Sequence, residues 1–381
     1  MLKVMFVLDI HPLFNGETKR KTAQINAVAG DKTKREVMMM HEKQRICRQK
    51  AAAWLAAVFA FSLCISPAWA VEQTRTLIPV GKAVGIKLFA DGVLIVDTSE
   101  VPCGGDTVSP AEDCGLKEGD LILEANGEKI QSTEHMQSLL QENGEDTMVL
   151  AVQRGSRQME VSITPVRCDD GTCRLGAWIR DSMAGVGTLT YYDPATGTYG
   201  ALGHGINDVD TAKLMPLASG SIMETTVKAV RKGEEGQPGE LKGDFSVQRD
   251  VGTLWANTEG GVFGTMSDAD FIDESQALPV ATRQEIHTGA ATILSTVSGE
   301  ETEEYTVEIV RLYPGGQPTR NLLLRVTDER LLSTTGGIVQ GMSGSPILQD
   351  GKLVGAVTHV LVNDPDTGYG IFIENMLEAA G

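Results

Sequence analysis

Aromatic residues are scarce in this 381-residue chain, at 5%, and Lys plus Arg number 33 against 51 Asp plus Glu. The shortage of positive charge is uneven. Residues 1–70 hold 11 Lys/Arg against 5 Asp/Glu, and the remainder holds 22 against 46. A body this acidic lacks the basic footprint that nucleic-acid binding requires, so no nucleic-acid partner is expected. Beyond solubility the acidity says little. The cysteines show no zinc-ligand spacing with histidines, so no metal is expected. What is plentiful is glycine, at 42 residues, which together with few aromatics suits many turns and short strands. The length allows two or three domains.

Positive charge gathers ahead of one apolar run. Lys43, Arg45, Arg48 and Lys50 precede Ala51–Ala70, which ends in Ala68-Trp69-Ala70. A basic segment, an apolar segment and an A-x-A site read as an export signal over residues 45–70. The run also approaches membrane-spanning length, so a retained anchor is the competing reading. Either way the chain after Val71 is expected outside the cytoplasm. Met38-Met39-Met40 is a more natural start than Met1, so residues 1–44 read as an over-extended start or a disordered extension. Cys47 and Cys64 belong to this region. The other four cysteines form two close pairs in sequence, Cys103/Cys114 and Cys168/Cys173. Export permits disulfides, and local pairing is the simplest of the three possible connectivities.

Residues 78–166 carry a compact pattern. Gly92–Val96 reads as a strand, Pro110 opens a short helix, and Leu121–Ala125 is a buried strand ending in an Asn126-Gly127 hairpin turn. Ser132–Gln141 is an amphipathic helix with Met136, Leu139 and Leu140 on one side. Two strands, Thr147–Gln153 and Met159–Thr164, close the unit. The run from Ser109 to Gly127, S-P-A-x-x-x-G-L-K-x-G-D-x-I-x-x-x-N-G, resembles the PDZ domains of exported bacterial proteases. That resemblance implies that Val84-Gly85-Ile86-Lys87-Leu88 forms a loop donating N–H groups to a bound peptide's carboxylate, the peptide adding a strand to the sheet edge. A PDZ fold used only as a spacer is the alternative.

Residues 167–381 show short apolar runs separated by Gly, Asp and Pro turns: Gly185–Tyr192, Ser221–Val230, Thr306–Leu312, Leu322–Val326 and Lys352–Val360. Such spacing predicts a sandwich or barrel. Residues 232–239 read as an exposed loop, and 372–380 as a terminal helix. Within this region Gly341-Met342-Ser343-Gly344-Ser345-Pro346 reads G-x-S-G-x-P, similar to the nucleophile turn of chymotrypsin-type proteases. Gly341 lets its own amide and that of Ser343 point at one spot, as an oxyanion hole requires. In isolation such a motif is more often a plain Gly/Ser turn.

A serine hydroxyl needs a neighbouring base. His135 falls in the first unit's helix, and His287 follows an unremarkable polar segment. His359 ends a strand close to Ser343 in sequence. His204, between Gly203 and Gly205 at a strand end, is the best base. For the carboxylate, Asp208 and Asp210 are too near His204 to be told apart by spacing, and Asp364 and Asp366 lie in a turn. Asp328 terminates the strand Leu322–Thr327, where it could be held rigidly under an imidazole. The order His204, Asp328, Ser343 is the chymotrypsin order.

Thr335–Ile347, Gly355–Val360 and Asn363-Asp364-Pro365 resemble the stage IV sporulation protein B family. The resemblance spans residues 45–381 and implies a mainly β chain: signal or anchor helix, PDZ domain (78–166), then a trypsin-like double β-barrel serine peptidase (167–381). It implies Ser343 as nucleophile, His204 as base and Asp328 as orienter, with no cofactor. It further implies a signalling protease acting between the two membranes around a forespore, which cleaves itself and a membrane-bound inhibitor of an intramembrane metalloprotease and so activates a late sigma factor. Three other readings compete: an inactive PDZ scaffold, a Ser/Lys carboxy-terminal processing protease using Lys352, and a Deg-type stress protease, in which the peptidase would precede its PDZ domains. Ser345 stands where chymotrypsin-type enzymes usually carry glycine.

Overall fold

The computed structural model describes residues 75–381, plus Met38, Met40, Glu42 and Arg45. The expected signal or anchor segment lies outside the described residues. Among the described residues no helix is long and apolar enough to cross a membrane.

Alternation of apolar and polar side chains drives most of the strands. In Glu303–Leu312, Tyr305, Val307 and Ile309 point inward while Glu304, Thr306 and Glu308 point out, as the two-residue period of a strand requires. The chain enters through β1 (Thr76–Pro79) and the 16-residue β2 (Ala83–Thr98), then a small hairpin, β3 (Val101–Cys103) and β4 (Asp106–Val108). A one-turn helix (Pro110–Asp113) leads to β5 (Leu121–Ala125) and β6 (Glu128–Lys129). The helix Thr133–Asn143, β7 (Met148–Arg154), β8 (Arg157–Ile163) and a second small hairpin, β9 (Val166–Arg167) with β10 (Cys173–Arg174), follow. Positive φ at both Asn126 (52°) and Gly127 (78°) makes the tight β5–β6 turn that the dipeptide predicts. Ser132 caps the helix by accepting from the His135 amide, and Met136 and Leu140 are buried against Ile122, Leu150 and Val152.

Beyond this unit run β11 (Ala177–Asp193), β12 (Thr198–Ala201), β13 (Ser219–Arg231), β14 (Glu240–Thr258), β15 (Gly261–Met266) and the short β16 (Leu278–Pro279). The last six strands are β17 (Gly289–Ser295), β18 (Glu303–Leu312), β19 (Leu322–Val326), β20 (Pro346–Gln349), β21 (Lys352–Leu361) and β22 (Asp364–Phe372), before a terminal helix (Ile373–Ala380). These six close into a barrel in the order β17-β18-β19-β22-β21-β20. A second ring closes through β2, β11, β12, β15, β14, β13 and back to β2, every pairing antiparallel. The molecule is therefore mainly β, with two six-stranded barrels and a smaller helix-bearing unit.

The smaller unit is inserted into the first barrel rather than placed ahead of it. β2 pairs at Val84–Lys87 with β11 and β13, then continues to Val93 and Leu94, which pair with β5. β11 likewise pairs with the far end of β2 at Ala177–Arg180 before entering the barrel. The expected span 78–166 differs from this division at both ends, because the N-terminal half of β2 belongs to the barrel and Ala177–Arg180 of β11 pair with the far half of β2 in the smaller unit.

This corrects the reading of Val84–Leu88 as a carboxylate-binding loop. Gly187, Val186, Gly185, Ala184 and Met183 of β11 pair with its residues on one side, and Glu224 to Gly220 of β13 pair with them on the other. With both edges occupied, no row of N–H groups is left for a ligand. Gly85 is small for a different reason: a Cβ there would lie 2.3 Å from the Phe245 ring. Ile86 sits in the barrel core with Leu189, Leu202 and Ile222. Ile86→Ala should therefore cost about 3 kcal/mol of stability in urea unfolding, against about 0.5 kcal/mol for an exposed loop position.

Candidate active site

The nucleophile turn is fixed from the first barrel. Thr188, fully buried in β11, donates its hydroxyl to the Gly341 carbonyl at 2.8 Å and its amide to the Ser343 carbonyl at 3.0 Å. A Cβ on Gly344 (φ 97°) would stand 2.1 Å from the Thr188 carbonyl oxygen, so the approach of the two barrels requires glycine. Gly341 (φ 98°) packs on Leu241, at the foot of a hairpin whose Leu241 amide donates to Gln340 and whose Gly239 carbonyl accepts from Gln340. Met342 is buried beneath the turn. Ser345 is also buried, and its hydroxyl donates to Ser295 Oγ at 3.0 Å. That bond gives the departure from glycine a place in the packing. Among the described residues neither the Gly341 nor the Ser343 amide donates a hydrogen bond, whereas the Met342, Gly344 and Ser345 amides all do. Two uncommitted amides flanking a serine are the donor set that an oxyanion needs.

His204 stands at the end of β12, after two residues with positive φ, Leu202 (69°) and Gly203 (67°). Its Nδ1 lies 2.8 Å from the carbonyl oxygen of Gly205. A carbonyl only accepts, so Nδ1 carries the proton and Nε2 keeps its lone pair. Burial lowers the His204 pKa, partly opposed by the Gly205 carbonyl, so the ring is neutral at neutral pH. His359, near the end of β21, lies with its ring centroid 5.1 Å from that of His204. Its buried Nδ1 has no hydrogen-bond partner among the described residues. Burial, then the neighbouring His204 and Arg320, push its pKa down to about 4. Both imidazoles line a cleft of about 510 Å³ with Lys213, Glu259 and Gln317–Thr319. Ser343 Oγ donates to the carbonyl of Thr358, the residue before His359, at 2.8 Å. β21 thus carries both the acceptor for the resting serine and the second imidazole. His359 was passed over in favour of His204 as base; its position on a strand just after Ser343 was the available signal.

Asp328, expected to orient His204, is engaged elsewhere: among the described residues it makes no hydrogen bond to that ring, whose Nδ1 faces the Gly205 carbonyl. Its carboxylate caps the helix Glu329–Thr335, accepting from the amides of Arg330 (2.9 Å), Leu331 (3.3 Å) and Thr306 (3.3 Å) and from the Arg330 guanidinium (3.2 and 3.1 Å). The Arg330 guanidinium in particular holds it below the usual carboxylate range. None of these partners is an imidazole. Asp208 is committed elsewhere too, to Arg180 and to the Asp210 and Thr211 amides. Asp364 and Asp366 sit in β22, beyond the β21–β22 turn, and burial with the neighbouring Asp364 raises the Asp366 pKa. Lys352 is ion-paired with Glu285 on the surface, which removes the candidate base of the Ser/Lys reading. Among the described residues no cluster of His, Cys, Asp or Glu is placed to hold a metal ion.

A second cleft, of about 520 Å³, lies in the inserted unit between the helix Thr133–Asn143 and the segment Thr172–Ile179. Along it, from Ala177, β11 has β2 as its one strand partner among the described residues, leaving its other edge open. Gln141 exchanges hydrogen bonds with the Cys173 backbone at one end (2.9 Å each), and Asp181 accepts from the Thr133 amide at the other (2.9 Å). Trp178 lies over it, 63% exposed. This open edge is absent from the sequence reading, which placed the exposed backbone at Val84–Leu88 instead.

A serine turn between two β-barrels, neutral imidazoles beside it and a PDZ unit define a serine peptidase of the PDZ-bearing kind. The chain belongs to the SpoIVB peptidase S55 family, whose model matches residues 171–377, and a PDZ domain model matches residues 104–154. Among curated proteins it is 42% identical over 60 residues to the regulator of sigma-W protease RasP of Bacillus subtilis, covering 16% of this chain and 14% of that one. It is 33% identical over 57 residues to serine protease HTRA1 of Xenopus laevis, covering 15% of this chain and 12% of that one. The chain thus spans only a small part of the curated relatives it matches. Among solved structures, the inactive form of Rv3671c protease covers 52% of this chain and 82% of its own at 12% identity, with a TM-score of 0.30. The PDZ domain of the SdrC-like protein of Listeria monocytogenes covers 23% and 87% at 24% identity, with a TM-score of 0.19.

Asp328→Asn keeps a capping side chain and should retain hydrolysis within a few-fold; an orienting aspartate would lose about 10⁴-fold in kcat on the same change. Asp328→Ala should lower stability by about 1–2 kcal/mol through the lost cap. Steady-state kinetics and urea unfolding on the two variants separate these roles.

Proposed function

We propose that this chain is a SpoIVB-type serine endopeptidase that hydrolyses peptide bonds by an acyl-enzyme route. The observation that carries this reading is the turn Gly341–Gly344 with its two unengaged amides, its Ser343 hydroxyl bonded to the Thr358 carbonyl next to His359, whose ring lies 5.1 Å from that of His204. In the reaction the Ser343 hydroxyl turns from the Thr358 carbonyl to His204 Nε2 and attacks the scissile carbonyl as Nε2 takes its proton. The Gly341 and Ser343 amides hold the oxyanion. The Gly205 carbonyl keeps the Nδ1 proton in place and faces the imidazolium as it forms, a backbone oxygen serving where other enzymes use a carboxylate. His204 then protonates the leaving amine, and water repeats the sequence to release the acid. β21 and β22 from Thr358 to Gly370 flank the substrate.

Family membership supports two proposed substrates: the chain itself, and a membrane-bound regulator of an intramembrane metalloprotease, cut outside the cytoplasm during sporulation. A peptide segment adding to the open edge of β11 beside Thr133–Asn143 would be held close to the peptidase, raising its effective concentration. N-terminal sequencing of products from wild type and Ser343→Ala tests the reading. The variant should leave the full chain uncut and release no peptide products; unchanged processing would leave an inactive scaffold as the better account. His204→Ala should lower kcat/KM by at least about 10³-fold.

The pH dependence has a defined sign. Protonated His204 cannot accept the serine proton, and burial lowers its pKa. The acid limb of kcat/KM should therefore fall below the ordinary imidazole value of about 6.5, activity being full above it and lost as pH drops through the lowered pKa. A limb at or above 6.5 would contradict an imidazole in this environment.

A further inference from the structure

The four cysteines of the inserted unit are all unbridged: Cys103 and Cys114 are half-buried, Cys168 and Cys173 buried. Their surroundings sort them between the segments 103–114 and 168–173 rather than within each. The Cys103 thiol donates to the Arg167 carbonyl at 3.4 Å, and the next amide, Gly104, donates to Asp169 Oδ1 at 3.2 Å. Residues 103–104 therefore touch the positions on both sides of Cys168. Cys173 pairs across its ladder with Arg167, and the Cys168 amide continues that ladder by donating to Thr172. Strand alternation then puts Cys168 and Cys173 on opposite faces of their hairpin. Cys173 points into the core with Ala111, Leu116 and Leu175, and Cys114 packs on the same cluster. The link between these segments is reinforced by the Ala111 amide, which donates to the Leu175 carbonyl at 2.9 Å.

We propose that this unit is a dithiol modification site that forms two crossed disulfides, Cys103–Cys168 and Cys114–Cys173. The local pairing within 103/114 and 168/173 would need Cys168 and Cys173 to turn toward each other across their hairpin. The oxidant is a low-molecular-weight disulfide. The more accessible Cys103, as thiolate, attacks one sulfur of the oxidant, forming a mixed disulfide and expelling one thiolate. The Cys168 thiolate then attacks the Cys103 sulfur and expels the second, so two protein thiols give up two electrons and the oxidant leaves as two thiols. Cys114 and Cys173 react in the same way. The bridges would pin the rim Cys173–Gly176 of the groove to the β3–β4 hairpin and the one-turn helix behind it.

The sequence makes the test decisive. Trypsin releases Leu88–Lys117, holding Cys103 and Cys114, and Cys168–Arg174, holding the other two. The purified full chain is equilibrated with oxidised glutathione, blocked with iodoacetamide, denatured, digested without reductant and weighed by mass spectrometry. Crossed bridges give one joined species four hydrogens lighter than the sum of its two peptides, parting on reduction. Two separate peptides, each two hydrogens lighter, would overturn the proposal in favour of local pairing. Separate peptides with all four cysteines alkylated would overturn it altogether. The double variant Cys103→Ser/Cys168→Ser should still yield the joined species, now two hydrogens lighter. Cys103→Ser/Cys173→Ser should yield none, and a joined species there would refute the stated connectivity.

Discussion

The antiparallel pairing of β2 with β11 is the constraint on which the rest of the architecture depends. The two strands, 16 and 17 residues long, serve two structures in turn. Over Val84–Lys87 they form one wall of the first barrel, and over Leu94–Thr98 they form the spine of the PDZ unit. Register shifts between Trp178 and Ile179 and between Arg180 and Ser182 mark where the shared ribbon turns from one sheet to the other. The PDZ unit is consequently joined to the peptidase by two continuous hydrogen-bonded strands, unlike a domain hung from a linker. Thr188, the clamp on the nucleophile turn, is carried by the same β11.

Local features were legible because local chemistry decides them. Leu322–Val326 is a strand in sequence and structure alike. Asn126-Gly127 makes its turn, and the helix begins at the Ser132 cap and extends two residues past the predicted Gln141 to end at Gly144. The pairing of Val84 with Gly187 was not legible, because nothing in a strand's own alternation names a partner some hundred residues away. The segment Val84–Leu88 is mostly buried on both faces, which erases the alternation that would have marked it as a central strand. The capping bonds of Asp328 were not legible for a related reason. An aspartate after a strand can lie under an imidazole or cap the next helix, and the sequence that follows, Glu329-Arg330-Leu331-Leu332, is that of a helix's first turn.

The site trades a buried carboxylate for buried neutrality. Neither His204 nor His359 has an acid as a hydrogen-bond partner among the described residues, and burial lowers both pKa values. In the proposed reaction a base with its pKa lowered is neutral at neutral pH and a weaker proton acceptor, so its placement matters. Asn257 supplies part of that placement. Its side chain accepts from the Ile206 amide and donates to the carbonyls of Ile206 and Met215, closing the loop that follows His204 at both ends.

The middle of that loop is held from the PDZ unit. Arg180 of β11, two residues from Trp178 in the groove, ion-pairs with buried Asp208 and with Asp210 at 2.8 Å. Burial works against the charge on Asp208, but the Thr211 amide and the Arg180 guanidinium prevail and keep its pKa low. Lys213 adds a bond to the Glu118 carbonyl at 2.8 Å. Breaking a pair with one partner buried leaves an uncompensated charge, which generally costs about 3–5 kcal/mol, so the loop is not free to leave the PDZ unit. A displacement of β11 at the groove is then also a displacement of the anchor of the His204 loop. In the proposed reaction His204 is the base, so this anchor is a physical link from the cleft of the PDZ unit to the proposed proton acceptor.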